Sequence, residues 1–286
     1  MSAPPPDGPS TAAPWVPPAS PPYQPPPLRP PEQPPAGVRW GLPDAAIVTA
    51  LIPVTIGLGV VYLLLHLPAS LGPFTLISSG LSYGVLFAAL VFVSRTRGLR
   101  SLRADFGLIF RPVDLAIGFG IAVLVRILSL IEGFVVVGIA GKGPTRGNVS
   151  FGHDPLWIII NGFLIGALVA PVVEELLFRG LVLRAVRWAI LRGPRRSPRP
   201  QPAEPAIRNR AAVIAVLVSA VVFSVLHLDE AIGDPVLLVT LGLFTLTAGL
   251  LHGMITVVTG RLGPAIVAHV LFNGSSVLLA ILLDAH

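Results

Sequence analysis

The 286-residue chain contains no cysteine. That excludes a disulfide framework, a thiolate metal site and a cysteine nucleophile. Charge is scarce as well. Asp, Glu, Lys and Arg make up 12% of the chain, against about 25% in soluble globular domains. So little charge cannot solvate a protein surface, which excludes a soluble enzyme. Alternating apolar and polar runs are also missing, which disfavours a transmembrane β-barrel.

What the chain has instead is apolar sequence: 53% of it is hydrophobic, with a mean hydropathy of +0.80. From residue 43 the apolar residues fall into seven segments, at about 45–66, 72–95, 113–140, 157–190, 211–228, 235–259 and 262–283. Each reaches the roughly 20 residues a helix needs to cross a bilayer, the fifth only barely. The predicted fold class is an all-α polytopic integral membrane protein of about seven (seven to eight) transmembrane helices, occupying residues 43–286. The fourth segment should run on past Gly180 to about residue 190, with Arg184 and Arg187 snorkelling to the interface.

Residues 1–42 are a separate region holding 16 of the 31 prolines. Proline fixes φ and lacks a donor, so this stretch reads as an extended, disordered tail. A second reading makes it a ligand for a proline-binding protein module, with Trp15 or Tyr23 as anchors. It has no apolar run of the roughly 7–15 residues a signal peptide needs.

The 20 basic residues outnumber the 14 acidic ones. Arg95, Arg97, Arg100, Arg103 and Arg111 follow the second segment, eight arginines from Arg184 to Arg210 surround the fourth loop, and Arg261 follows the sixth segment. The opposite side offers Lys142 and Arg146, together with Asp154, Asp229, Glu230 and Asp234. Positive charge stays cytoplasmic. The expected location is therefore the plasma membrane, with the N-terminus and the tail cytoplasmic. The arginines read as lipid-facing, and no nucleic-acid partner is expected.

Ionisable groups within apolar segments carry function by default. They are Arg126, Glu132, Glu174, Glu175, Arg179, His227, His252 and His269. Glu174 and Glu175 are adjacent and point about 100° apart on a helix. Glu175 and Arg179 stand i,i+4 and can pair, which leaves Glu174 without a local cation. Such a desolvated carboxylate suits a general base. Phe223 and His227 share a face, as do His269 and Asn273. The latter two can donate hydrogen bonds to an oxyanion. His252 reads as a packed residue, with a secondary role in the site as the alternative.

Together, Glu174-Glu175-x-x-x-Arg179, Phe223-x-x-x-His227 and His269-x-x-x-Asn273 resemble the CAAX-protease and bacteriocin-processing family, the Rce1-like or Abi intramembrane proteases. The resemblance covers about residues 155–280. It implies an Rce1-like helical bundle that hydrolyses a peptide bond of a membrane-anchored peptide or protein. By that resemblance Glu174 activates water, His227 holds the water or a metal, His269 and Asn273 stabilise the oxyanion, and Glu175 and Arg179 support them. Zinc is the cofactor it implies, with Glu174 (or Glu175), His227 and His269 as the ligands. The chamber should be walled by the fourth, fifth and seventh spans. His269 lies only about 10 Å beyond the start of its segment, shallower than Glu174.

Three other readings stand beside this one. Gly80-Leu-Ser82-Tyr-Gly84 fits a rhomboid-like serine protease, although glycine and serine in an apolar helix also permit close packing. A non-enzymatic membrane scaffold or immunity protein could use the same fold. A transporter would use Arg126 and Glu132.

Overall fold

The computed structural model describes residue 1 and residues 34–66, 71–145, 154–192 and 205–284. Most of the proline-rich tail, with Trp15 and Tyr23, lies outside the described residues, as do Arg146 and the arginine-rich stretch 193–204. All regular structure among the described residues is helical. The helices are α1 (Leu42–His66), α2 (Leu71–Arg97), the short α3 (Leu102–Phe106), α4 (Val113–Ala140), α5 (Pro155–Arg192), α6 (Pro205–Val225), α7 (Pro235–Thr259) and α8 (Gly263–Asp284). Seven of them, all but α3, are long and apolar enough to cross a membrane. Large side chains such as Phe134 (77% exposed) and Ile139 (83%) face outward, which a soluble protein would not tolerate in such number.

Local chemistry sets the ends. Asp154 and Asp234 accept backbone N–H bonds at the starts of α5 and α7, each followed by a proline that has no N–H to satisfy. Ser101 caps α3, and Gly107, at φ +75°, ends it. Helix α5 runs unbroken to Arg192, as the sequence predicts. Two stretches of it are wound as π-helix, Ile158–Val169 and Leu176–Val182, on either side of the α-helical Ala170–Glu175. Such turns recur at functional sites because they shift side-chain phase.

The core packs around the second half of α5. Trp40 lies 4.6 Å from Trp188 and 5.4 Å from Phe106, ring to ring. Leu176, Leu177, Phe178 and Leu181 are fully buried with them. Gly180 lets α3 approach closely, since a Cβ there would lie 2.8 Å from the Phe106 Cβ. Asp105 anchors this cap, accepting from the Trp40 indole, the Ser94 hydroxyl and the Leu99 amide.

The cap overturns one expectation. Arg184 and Arg187 are buried rather than snorkelling, and the end of α3 and the α7–α8 turn lie against Arg184. Arg184 donates to the Gly260 carbonyl. The cap also explains the depth of His269. The Leu262 and Gly263 amides bond to the Gly107 and Ile109 carbonyls, so α8 starts beneath the cap. From the Arg184–Gly260 contact, Glu175 and His269 are each nine residues away and His252 is eight. All three therefore sit at one level, about 12–14 Å further in.

Two other polar residues hold helices together. Arg126 of α4 donates to the Phe272 carbonyl and to the Ser275 and Ser276 hydroxyls of α8. Glu132 accepts from Thr247 of α7. Gly80 and Gly84 give no close packing: a Cβ on either would meet nothing within 4 Å.

Candidate active site

The Ala170–Glu175 turn presents its two carboxylates to different surroundings. Glu175 is wholly buried. Its Oε1 lies 3.1 Å from the Arg179 guanidinium and accepts from Nδ1 of His252 at 3.1 Å and Nδ1 of His269 at 2.9 Å. One oxygen thus ties α5 to α7 and α8. A carboxylate balanced by arginine is an acceptor, so both imidazoles carry their proton on Nδ1 and leave Nε2 as a lone pair. That assignment follows from the hydrogen-bond partners.

Glu174 faces the other way. Its Oε1 accepts from the Tyr83 hydroxyl of α2 at 2.9 Å, and its Oε2 stands 3.7 Å from Nε2 of His269. That is too long for a hydrogen bond. Glu174 also lines a cavity of about 330 Å³. Its walls are α1 from Ile52 to Leu63, α2 from Phe74 to Leu86, Leu177 and Phe178 of α5, and the turn after α6. His227 lies in that turn. Its Nδ1 donates to the Phe223 carbonyl at 2.8 Å, which frees Nε2. Its ring lies 4.3 Å from that of Phe223, which also meets His269 edge-on and carries Arg179 on its face.

The helices that build this site match a known family. The family described as type II CAAX prenyl endopeptidase, Rce1-like, matches residues 155–275.

This chain carries an Rce1-like domain.

No curated protein and no solved structure matches the chain. The Rce1-like domain covers α5 to α7 and most of α8, so Glu174, Glu175, Arg179, His227, His269 and Asn273 all lie within it.

Within the Rce1-like domain, Glu174, Glu175, Arg179 and His269 come together, and His227 lines the cavity with Glu174. Asn273 shares the His269 face of α8, but its amide donates to the Gly166 carbonyl at 2.9 Å, and neither residue lines the cavity. The walls differ from those expected. Spans α1 and α2, outside the matched region, form most of them, and α8 reaches Glu174 from behind.

The potential metal ligands differ as well. The sequence points to Glu174, His227 and His269. The trio whose ligand atoms lie within 4.8 Å of one another is Glu175, His252 and His269. His252 enters because α7 brings it level with Glu175, whereas His227 lies past the end of α6. A carboxylate and two imidazoles suit zinc. Glu175 Oε2 and His252 Nε2 are buried with no protein partner, so the cluster has capacity for a further group. Tyr83 is the site residue the sequence did not reveal, and His252, read there chiefly as a packed residue, joins it in the site. Neither has a partner at helical spacing, and their partners come from other helices.

Proposed function

We propose that this Rce1-like domain is an intramembrane endopeptidase in which Glu174 activates the attacking water. The family's members are intramembrane endopeptidases. The observation that carries the reading is the posture of Glu174. One oxygen is held by Tyr83, the other faces Nε2 of His269 at 3.7 Å, and Glu174 lines the cavity.

The chemistry follows from that posture. Glu174 takes a proton from water as the water oxygen attacks the scissile carbonyl carbon. The same carboxyl returns the proton to the departing amine as the tetrahedral intermediate collapses. Tyr83 orients Glu174. Glu175, neutralised by Arg179, fixes the His269 tautomer so that Nε2 faces the water. His227 Nε2 gives the water or the oxyanion a second contact from the cavity. Asn273 holds α8 to α5 through Gly166 and joins the reaction by exchanging that bond for the oxyanion. Glu175, His252 and His269 would hold a zinc ion, which would supply Lewis-acid polarisation. The substrate is a membrane-anchored peptide or protein. The membrane is the plasma membrane, with the arginine-rich ends of the helices cytoplasmic.

A second reading has one observation in its favour: Ser82 lines the same cavity as His227. It sits within the regular helix α2, not on a strand-to-helix turn. Cleavage of membrane-anchored peptides by purified wild type, Glu174→Ala and Ser82→Ala, with and without a chelator, separates the readings. Loss only in Glu174→Ala supports the glutamate mechanism, and chelator sensitivity then assigns the metal. Loss only in Ser82→Ala overturns it in favour of a serine protease.

A further inference from the structure

The two ends of the helix bundle differ in charge. Helices α1, α4, α6 and α8 begin at one end, and α2, α5 and α7 finish there. Arg39, Arg97, Arg100, Arg103, Arg111 and Arg192 mark that end. At the other end the described residues offer Lys142 as a cation, against Asp154, Asp229, Glu230 and Asp234.

A second cavity, of about 280 Å³, lies at the arginine end and shares no lining residue with the one at Glu174. The start of α1, the last residue of α2 and the last turns of α5 enclose it. Three arginines line it, Arg39, Arg97 and Arg192, against one carboxylate, Asp44. That carboxylate is already committed. Its Oδ1 pairs with Arg97 Nε at 3.2 Å, and its Oδ2 accepts from the Gly41 amide at 2.9 Å. Arg39 and Arg192 therefore have no carboxylate of their own in the cavity wall. The Arg39 guanidinium donates to the Thr96 carbonyl at 2.6 Å, and the Arg39 amide donates to the Arg97 carbonyl at 2.7 Å. These bonds hold the rim in place without neutralising its charge. Arg192 comes over Gly41, where a Cβ would lie 3.9 Å from its Nη1, and bonds to no other described residue. Trp188, 1% exposed and stacked near Trp40, closes the cavity toward the core. Leu42, Pro43, Ala185 and Ala189 make the rest of the wall apolar.

Position, charge and polarity agree on one occupant. Helices α1, α2 and α5 are each long and apolar enough to cross a membrane, and each begins or ends at this cavity. It therefore lies at the level of the lipid headgroups, where basic pockets between spans take anionic lipids. Guanidinium groups bind phosphate oxygens through charge-assisted hydrogen bonds. An apolar wall beside them suits the glycerol and first methylenes of a lipid. We propose that this cavity binds the phosphate of an anionic phospholipid headgroup, and that the bound lipid ties α1 and α2 to the end of α5. The site is separate from Glu174, so it stands whether or not the chain cuts peptides.

The test uses the full chain in detergent, titrated with phosphatidylglycerol or with phosphatidylcholine of the same acyl chains. The readout is the melting temperature, which a ligand of the folded state raises. The expected result is a saturable rise with phosphatidylglycerol and none with phosphatidylcholine. Arg192→Gln should weaken the apparent affinity roughly tenfold, the usual size of one hydrogen bond to a charged group. Arg39→Gln/Arg192→Gln should abolish the rise. Arg95→Gln/Arg103→Gln removes the same charge from the same end but outside the cavity, and should keep it. Equal rises with the two lipids, or a rise with neither, would overturn the proposal. So would an equal loss in the two double variants, which would mean diffuse attraction rather than a site. Inorganic phosphate at the same concentration should leave the melting temperature unchanged, and a matching rise would replace the lipid by free phosphate. If the double variant fails to fold, Arg192→Gln alone decides, and an affinity equal to the wild type would sink the idea.

Discussion

The arginine end of this bundle and its acidic end are built to opposite specifications. At the arginine end, α3 folds over α5, and the rings of Trp40, Phe106 and Trp188 pack against one another in the buried core. The α7–α8 turn is tucked beneath, fixed by the Arg184–Gly260 and Arg261–Asp114 contacts. At the acidic end, α1 is barely covered, with 6% of its best membrane window buried against 44% for α7. A cavity opens between α1 and α2. The contrast shows how a carboxylate can be held rigidly in a membrane and still be reached. The closed end sets the level of Glu175, His252 and His269, and Glu174 lines the cavity at the loosely packed end.

The comparison can be broken most severely at the seam between the two ends. Arg179→Leu or Glu175→Leu leaves a buried charge unpaired, which costs about 3–5 kcal/mol. The double replacement should be milder than either single one. Thermal unfolding in detergent measures all three, and equal losses for singles and double would refute the pairing.

Next comes the packed end. Phe106→Ala should cost about 3–5 kcal/mol, as large core truncations do. Gly180→Ala should cost about 1–3 kcal/mol, because the new Cβ would lie 2.8 Å from the Phe106 Cβ. By contrast Leu63→Ala, on the cavity wall, should stay within about 0.5 kcal/mol. Similar losses at Phe106 and Leu63 would erase the distinction between the ends.

A smaller effect is expected at Tyr83. Tyr83→Phe removes a hydrogen bond to a carboxylate, worth about 1.5–3 kcal/mol, so the melting temperature should fall. The rate kcat/KM should fall as well, and an unaltered rate would remove Tyr83 from the site.

The smallest effect lies at Asp234, outside the spans. Hydrogen bonds from the Thr145 hydroxyl and from the Leu237, Thr145 and Val236 amides hold its carboxyl down at about 2. Its ordinary value is 3.8. A lowered carboxyl stabilises the fold above its unfolded value and loses that contribution as pH falls from about 4 toward 2. Asp234→Asn should flatten this part of the stability profile, measured as melting temperature against pH.

Much of the architecture was readable because hydrocarbon forces it. Backbone polar groups in a bilayer must be satisfied within the segment, so each long apolar run becomes a helix. The segment read at 157–190 is α5, Pro155–Arg192. Within one helix the i,i+4 rule brought out Glu175 with Arg179, and His269 with Asn273. What stayed hidden crosses between helices. Nothing local marks His252 as a partner of Glu175, or Tyr83 as a partner of Glu174. The short α3 is concealed in an arginine-rich loop, so the burial of Arg184 and Arg187 was not readable either. The role of α1 and α2 as cavity walls depends on how they lean against α5, which no single-helix pattern encodes.

The most direct test of the account is the single-turnover cleavage rate of a membrane-anchored peptide by Glu174→Gln, reconstituted in lipid and shown to melt like the wild type. The substitution keeps the shape and the hydrogen bond from Tyr83 while removing the base. The expected fall is about 10²–10⁴-fold, the usual contribution of a general base. Cleavage at the wild-type rate would contradict it.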